Sequence, residues 1–262
     1  MIGKLEAAAM AFAQDRGMTV VRSGELGKHL GWSRQQERKL LSRLARKGLV
    51  LRIRRGLYMF PPRLPLGGLW HPGMAALLNL LMQEVGGRYQ ISGPNAFSRY
   101  GWTEQVPNRV YVYNNRLSGY RRAGTVELTL IKVADSRLGG TEVVRVPEEG
   151  ELVYATRARA LVDAVYDWSR FGTLPRAYDW GRQELERNLG FAAELVHAAL
   201  AYGNQGTLRR IGGLLERLNG PQGLLRRLER GIRPTSAFIP WIPDRPKRGR
   251  TNKRWGIVFN DE

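Results

Sequence analysis

Apolar residues in the first sixty positions recur at helical spacing in three short runs and then shorten into strand-like segments. That change of period marks helices giving way to a β-ribbon. Residues 4–16 place Leu5, Ala8, Ala9 and Phe12 at helical intervals and are expected to form the first helix. Residues 23–30 put Leu26 and Leu30 on one side, with Ser23 expected as the helix cap. After the turn at Gly31-Trp32 comes 33–47, where Ser33 and Gln36 give the S-x-x-Q signature of a capping box. Its apolar face is Leu40, Leu41 and Leu44, with Glu37 between them in a structural place. Gln35, Arg38, Lys39, Ser42, Arg43 and Arg46 fall on the opposite side, an arc of roughly 140° at 100° per residue. Gly48 ends this helix. Residues 50–53 and 57–60 then read as two strands hinged at Arg54-Arg55-Gly56. A short strand at 19–21, three helices, a tight turn and a two-stranded ribbon make the pattern of a winged helix-turn-helix over residues 1–62.

The run from Pro61 to Gly68 cannot continue a ladder and allows a change of direction, so it reads as a linker to a larger second domain, 63–262. That domain opens with a helix after Pro72, carrying Met74, Leu77, Leu78, Leu81 and Met82. A strand at 88–92 and a helix beginning at Pro94 follow, then strands at 109–113, 125–133 and 141–146. From residue 156 the pattern becomes helical: 156–168, 174–188, 191–202, 207–218 and 221–228 are each bounded by Gly, Pro or Asn. Gly212 and Gly213 inside one of these helices point to close helix packing, since each costs about 1 kcal/mol against Ala. Residues 234–246 are extended and Pro-rich, and Trp255, Ile257 and Phe259 alternate as a last strand. The class is α+β, with a helix-rich C-terminal half.

Charge changes this picture. The chain has 262 residues and a formal net charge of +19. Residues 33–55 hold nine basic side chains against one acidic, and residues 245–254 hold six against none. These windows supply fourteen of the nineteen net charges, the clustering expected of a polyanion-binding surface. In helix 33–47, Gln35, Arg38, Lys39 and Arg43 are the candidates for base edges. Gln reads adenine bidentately, and Arg or Lys reads guanine. Ser33, Arg34, Ser42 and Arg46 complete the candidate face. Arg52, Arg54 and Arg55 on the ribbon are expected to meet phosphates or an adjacent minor groove. Arg245, Lys247, Arg248, Arg250, Lys253 and Arg254 form either a second phosphate clamp or an ordered loop ahead of the final strand.

Several runs together resemble the AbiEi family, the antitoxin-regulators of bacterial abortive-infection toxin–antitoxin systems. They are Ile53-Arg-Arg-Gly-Leu-Tyr58, Ile91-Ser-Gly-Pro-Asn-Ala96, Gly101-Trp-Thr-Glu-Gln-Val-Pro107, Tyr154-Ala-Thr-Arg-Ala-Arg-Ala-Leu-Val-Asp163, Thr207-Leu-Arg-Arg-Ile-Gly-Gly-Leu-Leu-Glu216 and Asn252-Lys-Arg-Trp-Gly-Ile-Val-Phe-Asn260. The resemblance implies a winged helix that represses its own operon, followed by an antitoxin domain. It also implies a cognate nucleotidyltransferase toxin encoded nearby. The 245–254 stretch is more basic than the family pattern suggests.

Other chemistry is thin. The chain has no cysteine, which excludes disulfides, thiol catalysis and cysteine-ligated zinc. His29, His71 and His197 lack ligand spacing, and neither Gly-Ser nor D-x-D is present to hold a triphosphate and its metal. Asp163 and Asp167, one helical turn apart, fit an ion-pair feature better than a catalytic pair. No run reaches the roughly 20 apolar residues of a membrane span. The expectation is therefore a non-enzymatic cytoplasmic repressor without cofactor or metal, monomeric in solution and associating on short repeats in its own promoter. An RNA-binding module, or an antitoxin that acts by protein contact alone, is the alternative.

Overall fold

The computed structural model describes residues 3–64, 69–147, 149–188 and 190–261. Residues 65–68 of the expected linker lie outside them. The chain is a mixed α+β protein. Its first half runs α1 (Lys4–Asp15), β1 (Val20–Arg22), α2 (Glu25–Leu30), α3 (Arg34–Arg46), β2 (Leu51–Arg54), β3 (Leu57–Met59), α4 (Met74–Glu84), β4 (Tyr89–Ile91), α5 (Pro94–Arg99) and β5 (Val110–Asn114). Strands β6 (Gly119–Ala123), β7 (Val126–Lys132), β8 (Thr141–Val146) and β9 (Gly150–Ala155) come next. Helices α6 (Arg157–Tyr166), α7 (Trp168–Phe171), α8 (Arg176–Arg187), α9 (Phe191–Tyr202), α10 (Gln205–Arg217) and α11 (Gln222–Arg230) precede three short strands, β10 (Ile239–Pro240), β11 (Arg250–Asn252) and β12 (Ile257–Phe259).

Two compact units emerge: Met1–Gly87 with Ser118–Leu130 and Arg145–Leu152, and Arg88–Leu117 with Ile131–Val144 and Val153–Glu262. The first unit runs past residue 62, the boundary read from the linker composition, and takes in α4 and the β6–β7 hairpin.

In the first unit, α1, α2 and α3 close over a core of Met10, Leu26, Leu40, Leu41, Leu44 and Phe60, each almost fully buried. Burying one such side chain is worth about 1.5–3 kcal/mol. Strands β1, β3 and β2 form an antiparallel sheet in that order. Gly56, at φ +77°, makes the β2–β3 turn, and its carbonyl accepts a hydrogen bond from the Ser23 amide at 2.9 Å. Helix α1 forms where the spacing places it, and only part of the spaced set is buried. Ala9, Met10 and Ala13 are buried, whereas Leu5 is 49% exposed and Ala8 is also outside. Buried Glu6 lies on the same inward side and pairs with Lys47 and Arg43.

Ser23 does not cap α2. The N-cap is Gly24, and the Glu37 carboxylate of α3 accepts from the amides of Gly24, Leu26 and Gly27 at 2.5, 3.0 and 3.3 Å. A fully buried acid thus satisfies the orphan donors of one helix from the core side of the next. Ser33 caps α3 as its sequence implies: its hydroxyl accepts from the Gln36 amide and the Gln36 side chain accepts from the Ser33 amide.

In the second unit β4 pairs antiparallel with β5 and parallel with β9. Helices α6 to α11 enclose an apolar core with α5, and β12 lies between β10 and β11. Gly212 of α10 packs on the Trp255 indole so closely that no Cβ could be added, the close approach its place in a helix implied. The expected helix 156–168 breaks at Asp167 into α6 and α7. Asp163 is fully buried and accepts from Ser92 Oγ at 2.7 Å, Arg159 Nε at 3.1 Å and Arg137 at 3.1 Å. Asp167 accepts from the Tyr113 hydroxyl. Burial first, then the charges of Asp163 and Asp167, raises the Tyr113 pKa well above the usual phenol range. The two aspartates belong to one network of hydrogen bonds and ion pairs, the ion-pair role expected of them. Strands β6 and β9 had no counterpart in the apolar pattern. Gly119–Ala123 carries two arginines and little apolar content, so nothing in it alternates.

Candidate nucleic-acid interface

The exposed side of α3 and the β2–β3 ribbon enclose an open cleft of about 710 Å³ in the first unit. Arg38, Lys39, Ser42, Arg43 and Arg46 line it from the helix, and Arg52 and Arg55 from the ribbon. Six cations thus share a cleft that no carboxylate lines among the described residues, and every one of them is exposed. Such a concave cationic wall focuses field on a polyanion. The local sequence produces it directly. Leu40, Leu41 and Leu44 drive one face of α3 into the core, which turns the long donors at 38, 39, 42, 43 and 46 outward. The acid most able to neutralise them, Glu37, is turned inward to the α2 amides.

Other candidates sit elsewhere. Ser33 spends its hydroxyl on the α3 cap. Gln35 is exposed on the first turn of α3 but does not line the cleft, and Arg34 lines a separate hollow with Lys28 and Trp32. Arg54 is drawn away: its guanidinium pairs with Glu84 at 2.9 Å, and Arg22 pairs with the same carboxylate. The register of β2 against β3 shifts between Arg52 and Arg54, and such irregularities re-aim side chains. Arg52 therefore lines the cleft while Arg54 serves an ion pair. Arg43 is shared, since Glu6 stands 3.7 Å from it, although the Arg43 side chain stays 49% exposed. Hydrogen bonds to Glu6 from Lys47 and then from the Gly3 amide hold its carboxyl below the usual value.

Ser23 and Tyr58 also line the cleft, and sequence reading missed both. They face it because β1 hydrogen-bonds to the β2–β3 turn and pairs with β3, a long-range pairing with no local signal.

In the second unit, residues 245–249 lead into β11, and Lys253 and Arg254 lie in the turn that follows it. Asn260 Nδ2 donates to the carbonyls of Ile242, Arg245 and Pro246, and its Oδ1 accepts from the Ile242 amide. Arg254 binds Glu216 at 3.0 Å and Glu229 at 2.9 Å. Lys247 donates to the Phe238 carbonyl at 3.3 Å. Arg245, Arg248, Arg250 and Lys253 are exposed. Among the described residues no group of three or more His, Cys, Asp or Glu side chains could hold a metal ion. Among them, too, no helix is long and apolar enough to cross a membrane.

Residues 8–61 match the family model described as "Transcriptional regulator, AbiEi antitoxin", so the resemblance read from the sequence holds over the segment that builds the cleft. The crystal structure of the RV2827C protein from Mycobacterium tuberculosis is similar over 98% of this chain and 92% of that one. Its TM-score is 0.57 at 15% sequence identity, a likeness of fold. None of the curated proteins matches the chain in sequence.

Proposed function

We propose that this chain is a sequence-specific DNA-binding repressor of its own operon and the antitoxin of a cognate nucleotidyltransferase toxin. In this reading residues 1–62 are a winged helix-turn-helix, with α2 and α3 as the helix-turn-helix and β2–β3 as the wing, and residues 63–262 are the antitoxin domain. The observation that carries it is the cleft of six exposed cations, which no carboxylate among the described residues lines, on the segment that matches a transcriptional-regulator family model. Arg38, Lys39 and Arg43 present bidentate or point donors toward base edges in the major groove, with Gln35 reaching the groove from the first turn. Arg46, Arg52 and Arg55 contact phosphates and set register. Arg54, engaged by Glu84, fixes the ribbon instead of gripping DNA. Repression follows from occlusion of the promoter, with monomers from the cytoplasm associating side by side on short repeats.

The test is a gel-shift titration of full-length protein on the duplex upstream of its own gene. Arg38→Ala with Lys39→Ala removes two exposed cations from the cleft and touches none of the core contacts. Binding is expected to weaken at least tenfold, at about 1–3 kcal/mol per base contact, with the thermal unfolding midpoint unchanged. Unaltered affinity in a folded variant rejects the groove assignment. Stronger competition by structured RNA than by the duplex would favour the RNA-binding alternative. Co-purification with the product of the neighbouring gene tests the antitoxin half of the reading.

A further inference from the structure

We infer that the phosphate-binding surface does not end at the α3 cleft but continues onto strand β6, where Arg121 and Arg122 take the DNA backbone together with Arg52. This rests on the DNA-binding reading above and extends it to a part of the chain far from the helix-turn-helix in sequence. Arg52 lines the α3 cleft on one side. On the other it lines a second open pocket of about 310 Å³, whose rim also carries Arg121 and Arg122 and whose floor is Leu77, Leu81 and Leu128. The two pockets have Arg52 in common, so a polyanion that follows it out of the first reaches Arg121 and Arg122 in the second. All of these residues belong to the first compact unit, because the β6–β7 hairpin folds into it.

The chemistry favours a phosphodiester. Guanidinium donors match phosphate oxygens in a bidentate fork. The leucine floor lowers the local dielectric beneath them, which strengthens the attraction. Arg121 faces Leu128 across the ladder and is half-buried, so its stem has apolar support while its head stays at the rim. Arg122 faces Glu127 across the same ladder and donates to the Gly124 carbonyl at 3.4 Å. Arg121 therefore carries the larger effect. Strand β6 stands at the edge of its sheet, and charges on an edge strand also serve simply to repel other strands. That role would leave DNA binding untouched, which makes the two separable.

The experiment measures fluorescence anisotropy of full-length protein on the duplex upstream of its own gene and on a shuffled duplex, between about 50 and 200 mM salt. Arg121→Ala with Arg122→Ala should make the slope of log affinity against log salt shallower by about 0.9 for each phosphate that is no longer neutralised. The preference for the upstream duplex over the shuffled one should persist. Arg121→Lys with Arg122→Lys keeps the charge and should keep the slope. If the double alanine variant fails to fold, the exposed Arg122→Ala alone carries the test, with a smaller change of the same sign. Unchanged slope and affinity in a folded alanine variant overturn the inference. If wild-type protein binds both duplexes equally with a steep salt slope, sequence-specific readout is rejected; a shallower slope in the alanine variant then still supports this surface, and an unchanged slope overturns it. Wild-type protein that binds neither rejects both readings.

Discussion

Two stretches of this chain are equally conspicuous in charge, yet their carboxylates are placed in opposite ways. Along α3 the one acid, Glu37, turns into the core and caps α2, so Arg38, Lys39 and Arg46 face a cleft with no carboxylate among the described residues of its lining. In 245–254 there is no acid in the sequence at all, but Glu216 of α10 and Glu229 of α11 are brought to Arg254, and Asn260 pins the loop behind it. Basic clustering along a sequence is therefore a weak guide to a polyanion surface by itself. What matters is where the fold sends the acids, including those from distant segments.

The largest expected effect comes from removing the inward acid. Glu37→Ala leaves three amides at the start of α2 without their acceptor in a buried place. It should cost about 2–4 kcal/mol, as buried donors losing a charged partner do. Urea denaturation would register it as a lower midpoint, and DNA binding should fall as the α2–α3 arrangement loosens. A variant as stable as wild type would remove the basis of the comparison.

Next comes a split within the ribbon. Arg55→Ala should weaken binding to the upstream duplex several-fold and make the salt slope shallower by about 0.9. Arg54→Ala, which only releases Glu84, should leave both unchanged. Equal reductions from the two would show that the ion pair seen here opens on DNA.

Arg254→Ala tests the other member of the pair. Its two carboxylates are partly exposed, so the variant should be about 1 kcal/mol less stable with the salt slope intact. Charge reversal at the exposed Arg245, Arg248, Arg250 and Lys253 then asks whether the ordered loop is also a phosphate clamp. A shallower slope would say that it is.

The smallest effect is set by pH. Glu6 has a folded pKa depressed below 4.5, so its contribution is fully present above that value and is lost as pH falls through it toward the lower folded value. Stability measured through this acid range should decline less steeply in Glu6→Gln than in wild type. An identical decline would mean that Glu6 does not report the α1–α3 ion pairs.

The N-terminal elements were legible because their signals are local: the Ser33–Gln36 box, the Leu40/Leu41/Leu44 stripe and the Gly56 turn each act within a few residues. The outward face of α3 followed from that stripe. What escaped depends on partners across long sequence separations. Glu37 replaced Ser23 as the acceptor for α2, Glu84 claimed Arg54, and β6 joined the first unit through a strand with no apolar alternation. Periodicity cannot show such partners, since each is set by tertiary packing.

A cleft of this kind on α3 is built to read a DNA sequence. The most direct measurement is the ratio of affinities of full-length protein for its own upstream duplex and for a shuffled duplex of the same composition, at one fixed salt concentration. A ratio of about a thousand or more is expected, reduced at least tenfold in Arg38→Ala with Lys39→Ala. A ratio near one in the wild-type protein would contradict it.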